Sequence, residues 1–184
     1  MNEVYQPSED TFLLMNVIDE APYVRKALEV GSGSGVISVT LAHKADYVIA
    51  TDIDLNACYA TLERLRKHNR RANTDVVCCD LLSAFRENSD FELIVFNPPY
   101  LPDECLNDVS IFGGKHGVET SLEFLSQAHH VLSHAGSILL VVSSISDLEK
   151  LWAAASKLGL EYRTLKSVKL FFEEVSVVEF RKGA

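Results

Sequence analysis

The chain has 184 residues, 47% hydrophobic and 23% charged, and its 17 Lys and Arg against 26 Asp and Glu give a net charge of −9. That composition fits one globular domain and excludes a disordered, collagen-like or coiled-coil chain, and the longest apolar runs, such as 138–142, are far too short for a membrane span. An acidic balance also argues against a protein whose main task is gripping nucleic acid, because phosphate neutralisation supplies most of that affinity.

The apolar pattern alternates between strand and helix. Ala27–Val30 reads as a first strand ended by Gly31, and Val36–His43 as a helix. Tyr47–Ala50 is a second strand, closed by Thr51 and Asp52. Leu55, Cys58, Tyr59, Leu62 and Leu65 fall on one face of a following helix. Asp75–Cys79 and Phe91–Phe96 are a third and a fourth strand, the latter ended by Asn97-Pro98-Pro99. A loop runs to about Glu119, a helix covers Leu122–Leu132, Ser137–Val142 is a fifth strand, and Leu148–Leu158 is a further helix. Tyr162–Leu170 and Val175–Phe180 are two strands joined so briefly that they must be antiparallel. This order predicts an α/β fold with a mostly parallel sheet covered on both faces, and ligands at the carboxyl ends of the strands. We expect a single domain over residues 1–184, with residues 1–20 covering the site, and no secretory leader, since the first seven residues have neither a basic nor an apolar region. Cys58, Cys78, Cys79 and Cys105 form no C-x-x-C pair, so no zinc site is expected, and Cys78 and Cys79 read as small buried hydrophobes in a reduced, cytoplasmic protein.

Chemistry-bearing residues gather at those strand ends. In Glu29-Val30-Gly31-Ser32-Gly33-Ser34-Gly35, three glycines leave a strand and open a helix, which lets the backbone approach a ligand closely. Asp52 can take two ribose hydroxyls; the alternative, capping the next helix, is a role Asp54 can serve instead, and Asp52 does not separate one adenosine cofactor from another. Asp80 is placed to accept from an exocyclic amine, with the Leu81 N–H beside it. In Asn97-Pro98-Pro99-Tyr100 the prolines remove two donors. The Asn97 side-chain oxygen and the Pro98 carbonyl can then each accept one N–H of a planar NH₂ group, with Tyr100 as an aromatic wall. Arg64, Arg66, Lys67, Arg70 and Arg71 form a basic cluster, read as a solvated face at a helix C-terminus or as contact with an RNA-bound partner.

The G-x-G-x-G spacing resembles the nucleoside-methionine loop of class I S-adenosylmethionine methyltransferases, and Asn97–Tyr100 resembles the signature of those acting on amide or exocyclic amino nitrogens. The segment Tyr5–Leu14 and the turn Gly113-Gly114-Lys115-His116-Gly117 narrow the resemblance to the short, archaeal and eukaryotic branch of HemK-like enzymes. It implies a Rossmann-like, seven-stranded sheet with one antiparallel strand. It also implies methylation of the glutamine in the Gly-Gly-Gln motif of class 1 translation termination (peptide chain release) factors. By that resemblance Thr11, Glu29, Gly31, Asp52, Asp80, Leu81 and Asn97 contact the cofactor, with Gly33, Gly35 and Ile53 completing its cradle; Asn97, Pro98, Pro99 and Tyr100 are catalytic. The bacterial enzymes' N-terminal helical domain is not expected here. The resemblance instead implies a heterodimer with a small zinc-binding activator subunit, for which the bare third strand, Val76–Cys79, offers an edge unless the segment 82–88 covers it. A nucleic-acid amino methyltransferase, a lysine methyltransferase and a non-catalytic binding module are the rival readings.

Overall fold

The computed structural model describes residues 7–100 and 115–183. The chain runs α1 (Glu9–Glu20), β1 (Val24–Val30), α2 (Val36–Leu41), β2 (Ala45–Asp52), α3 (Leu55–Lys67), a short 3-10 turn (Arg71–Asn73), β3 (Thr74–Cys78), β4 (Phe91–Phe96), α4 (Glu119–Val131), β5 (Leu132–Ser143), α5 (Leu148–Lys157), β6 (Leu160–Lys169) and β7 (Glu174–Lys182). The strands form one sheet in the order β3-β2-β1-β4-β5-β7-β6. Only β7 runs against the rest, paired antiparallel to both β5 and β6. The expected α/β sheet of six parallel strands and one antiparallel strand is therefore present.

Its central strands are apolar on both faces because both are covered. On β4, Leu93 and Val95 face a core with α1 and α2, built on Leu14, Val17, Ile18, Ile37 and Leu41. Ile94 and Phe96 face the other core, with Phe124, Leu125 and Ala128 of α4 and Leu151 and Ala155 of α5. α3 packs beside α2 and over β3.

Residues 9–20, to which the sequence pattern assigned no element, form a full helix. Two sequence expectations need correction. The buried stripe of α3 is Ala57, Cys58, Thr61 and Leu65, whereas Leu55 and Tyr59 are exposed. Cys78 is exposed and Cys79 only half-buried, because β3 ends the sheet and an edge strand has one side without a neighbour. The turn 113–117 begins outside the described residues, as does Cys105.

Strand order reverses between β1 and β4, the place where such sheets open a crevice at their carboxyl ends. Val30 pairs with both Thr51 and Phe96, so the chain leaves β1, β2 and β4 at one level, at Gly31, Asp52 and Asn97. A cavity of about 670 Å³ lies at the opposite end, lined by Val24, Arg25, Leu93, Ser137 and Glu179. None of the motif residues lines it, and its charges are paired internally, as Arg25 with Glu92, Lys166 with Glu20, and Arg163 and Arg181 with Glu179.

Candidate active site

The glycine loop is sewn to α3. Thr61 Oγ1 lies 2.9 Å from Ser32 Oγ and 3.2 Å from the Gly33 carbonyl, and Arg64 Nε donates to the Ser34 carbonyl at 2.6 Å. Gly35 has φ +77°, and a Cβ there would stand 2.7 Å from Thr61 Cα, so this glycine is required by helix packing as well as by the turn. Gly31, φ +68°, is exposed at the crevice, and a Cβ would come within 3.1 Å of the Phe96 ring.

Asp52 completes the loop's far wall. Its Oδ2 accepts from the Gly33 N–H at 2.8 Å and its Oδ1 from the Asp54 N–H at 2.9 Å. The capping role falls to Asp54, whose side chain accepts from the Asn56 N–H. Asp52 thus keeps a half-buried carboxylate at the crevice, its pKa raised by burial and held back by those backbone donors. Ile53 beside it is 67% exposed. Glu29 lies beneath the loop, fully buried, with the Ser38 hydroxyl donating to its Oε2. Burial drives its pKa well above the carboxylate range; the Ser38 hydroxyl opposes this and the Asp52 charge adds to it. Its Oε1 is buried without a hydrogen-bond partner among the described residues. Asp80 is exposed, and Leu81 sits at φ +42°, a left-handed conformation that costs a non-glycine residue on the order of 1–3 kcal/mol. The Leu81 carbonyl accepts from Thr51 Oγ1 at 3.4 Å.

Asn97 is the pivot. Its Nδ2 donates to Asp10 Oδ2 at 3.2 Å, while its Oδ1 is buried with no partner among the described residues. A buried acceptor without a partner costs roughly 1–3 kcal/mol, and such orphans are rare enough to require a reason. The neighbouring carboxylate explains why the amide does not turn over: only a donor can face it. Tyr100 OH donates to the same Asp10 Oδ2 at 3.1 Å, and the Tyr100 carbonyl accepts from Ser146 Oγ at 2.7 Å. Pro98 is buried, and its carbonyl has no hydrogen bond to a described residue; Pro99 is half-buried between it and Tyr100.

Sequence reasoning missed Asp10 and Ser146. Asp10 is 3% exposed, and its Oδ1 also accepts from Ser8 Oγ at 2.6 Å, the Thr11 N–H at 2.5 Å and Thr11 Oγ1 at 3.1 Å. The Thr11 hydroxyl, which in turn accepts from the Ser8 N–H, belongs to this network. A signal for Asp10 was present: positions 10, 13, 14, 17 and 18 form a helical stripe, and an acid on an otherwise apolar stripe needs partners. Of the basic cluster, Arg64, Arg70 and Arg71 are engaged within the chain, with Ser34, with His43, and with Thr74 and Asp75 respectively.

Known proteins similar to this chain are methyltransferases. The family model described as the methyltransferase small domain matches residues 8–169. The mouse protein named methyltransferase HEMK2 is 34% identical over 98% of this chain and 91% of its own length. A release factor glutamine methyltransferase of Koribacter versatilis is 30% identical over 76% of this chain but only 55% of its own length. Among solved structures, the E. cuniculi Mtq2-Trm112 complex, described as responsible for methylating the eRF1 translation termination factor, superposes with a TM-score of 0.80 at 27% identity, over 98% of this chain and 99% of the matched one. The glycine cradle and the half-buried Asp52 carboxylate beside it fit an adenosine cofactor: this chain belongs to the methyltransferase small domain family, in its HemK-like branch, and is an enzyme whose cofactor is S-adenosylmethionine.

Proposed function

We propose that this protein methylates the side-chain amide nitrogen of the glutamine in the Gly-Gly-Gln motif of a class 1 peptide chain release factor. The observation that carries the reading is Asn97 Oδ1, a buried acceptor with no described partner, fixed in place by the Asp10 contact on the other side of the same amide. When bound, S-adenosylmethionine would supply a methyl group whose bond to the sulfonium sulfur breaks as the bond to nitrogen forms, with a neutral thioether as leaving group and one amide proton released to solvent. Asn97 Oδ1 accepts one N–H of the substrate amide and the Pro98 carbonyl the other, which holds the nitrogen in a single orientation. An amide nitrogen is a poor nucleophile, so orientation must supply most of the catalysis, roughly 7–11 kcal/mol in favourable cases. Both acceptors gain strength as positive charge develops on the NH₂. Asp52 takes the ribose hydroxyls; Gly31, Gly33, Gly35 and Ile53 shape the cradle; Glu29 lies under the methionine end; Asp80 and the Leu81 N–H meet the adenine; and α1, bringing Thr11 and Asp10, closes the site as part of a single domain.

The test is mass spectrometry of a candidate factor, and of RNA and DNA, after incubation with labelled cofactor. Methyl transfer should be confined to the glutamine, fall only mildly with salt, and drop about 10²-fold or more in Asn97→Ala. Steeply salt-sensitive methylation of naked nucleic acid, with the factor untouched, would overturn the reading.

We further infer that the enzyme works in the cytoplasm beside a small zinc-binding activator subunit that adds a strand to β3. The supporting features are an edge with Val76 and Val77 half-buried and Cys78 exposed, and the exposed apolar residues Ile53, Leu55 and Tyr59 nearby on the β2–α3 corner. The segment 82–88 turns instead toward α4: Leu82 N–H donates to Gln127, and Asn88 N–H to the His130 carbonyl. Co-expression should raise soluble yield and activity; a chain fully soluble and active alone would remove the subunit.

A further inference from the structure

The tip of the β6–β7 hairpin carries Phe171 and Phe172, which are 92% and 88% exposed. Their ring centroids lie 4.8 Å apart, edge to face. Neither ring contributes to a core, so the pair is an apolar patch held in solvent. The backbone beneath it is firmly tied. Leu170 N–H donates to the Glu173 carbonyl at 2.8 Å, and Ser144 N–H donates to the Glu174 carbonyl at 2.9 Å. Glu174 N–H donates to Ser144 Oγ at 2.9 Å, and the Ser143 hydroxyl donates to the Glu173 carboxylate. The same β5–α5 connection holds the Asn97–Tyr100 turn through Ser146.

Topology sets where the tip points. β6 runs parallel to the five strands β1–β5, so its far end lies at the same edge of the sheet as Asn97. Val175 of β7 pairs with Ser143, three residues beyond Leu140, the partner of Phe96. The two rings therefore stand outward of the level at which Asn97 leaves β4, on a tip linked by hydrogen bonds to the turn that orients the acceptor nitrogen.

We propose that Phe171 and Phe172 are a docking point for the folded domain of the methyl-accepting protein, gripping an apolar patch beside its acceptor loop; this rests on the protein-substrate reading above. A residue on a loop reaches Asn97 only if the domain behind it settles on the rim of the crevice, and these are the most exposed aromatic rings among the described residues of that rim. Aromatic anchors carry a disproportionate share of binding energy once they are desolvated.

The test compares the full-length enzyme with the variant Phe171→Ser/Phe172→Ser in steady-state methylation of a folded class 1 release factor, with cofactor affinity measured alongside. KM for the factor should rise about tenfold or more while kcat and cofactor affinity hold, as expected for loss of binding made equally in ground and transition states. Equal KM in both proteins would overturn the docking role and leave the methylation reading standing. A wild-type enzyme inert toward the factor would overturn both. A variant that changes only its sedimentation, from dimer to monomer, with KM unaltered would assign the rings to a second copy of this chain and overturn the proposal.

Discussion

Replacing Asp10 by Asn should disable the enzyme nearly as fully as removing Asn97, although Asp10 is buried and meets the crevice through Asn97 and Tyr100. Asp10 Oδ1 faces the Thr11 backbone N–H at 2.5 Å, a donor that cannot move, so the oxygen of the new amide must occupy that position. Its NH₂ then takes the place of Oδ2 and points at Asn97 Nδ2, 3.2 Å away. Two donors cannot face each other, so the Asn97 amide turns over. It keeps a hydrogen bond inside the protein and now presents a donor to the substrate NH₂ where an acceptor is required. The fold should lose about 1 kcal/mol, the net worth of one hydrogen bond, which lowers Tm by roughly 2–4 °C in a chain of this size. Transfer should lose one preorganised polar group, about 10²–10³ in kcat. The assay is single-turnover methylation at saturating cofactor, with a second substitution, Asn97→Ala, added to form a cycle. If Asp10 acts by orienting Asn97, Asp10→Asn should cost little more once Asn97 is gone. Equal cost in both backgrounds, or an unchanged kcat in the single variant, would refute the reasoning.

Two further expectations concern the cradle. Asp52→Ala should weaken cofactor binding by about 1–3 kcal/mol and lower Tm as well, because the Gly33 and Asp54 N–H groups lose their acceptor; unchanged affinity by calorimetry would take Asp52 out of the ribose site. Glu29 holds its proton to higher pH in the folded protein than in the unfolded chain, because burial disfavours the carboxylate. Its stabilising contribution is then full below the ordinary carboxylate pKa of about 4.3 and is lost as pH rises through the higher folded value. Glu29→Gln should flatten that decline in thermal melts recorded across pH, and a variant whose Tm falls with pH as steeply as the wild type would show that Glu29 is not its source.

From β1 onward the order of strands and helices was legible in the sequence, because two-fold and 3.6-fold periodicity and Gly or Pro stops are local properties; the first helix was not. The sequence also placed the Glu29–Gly35 loop, Asp52 and the Asn97–Tyr100 turn at strand ends, where a parallel sheet puts its crevice. Which residues meet is a matter of long-range packing. Asp10 and Asn97 are 87 positions apart, and nothing local couples an acid in the first helix to an amide after the fourth strand. The same holds for the buried face of α3: Leu55 and Tyr59 fit an apolar stripe, but the helix turns Ala57, Cys58, Thr61 and Leu65 inward. Thr61 is buried against the glycine loop because Gly35 permits a close approach and Ser32 and Gly33 bond to its hydroxyl. Cys78 looked buried because a short apolar run reads alike in the centre and at the edge of a sheet, and edge position follows from strand order, which depends on long-range pairing.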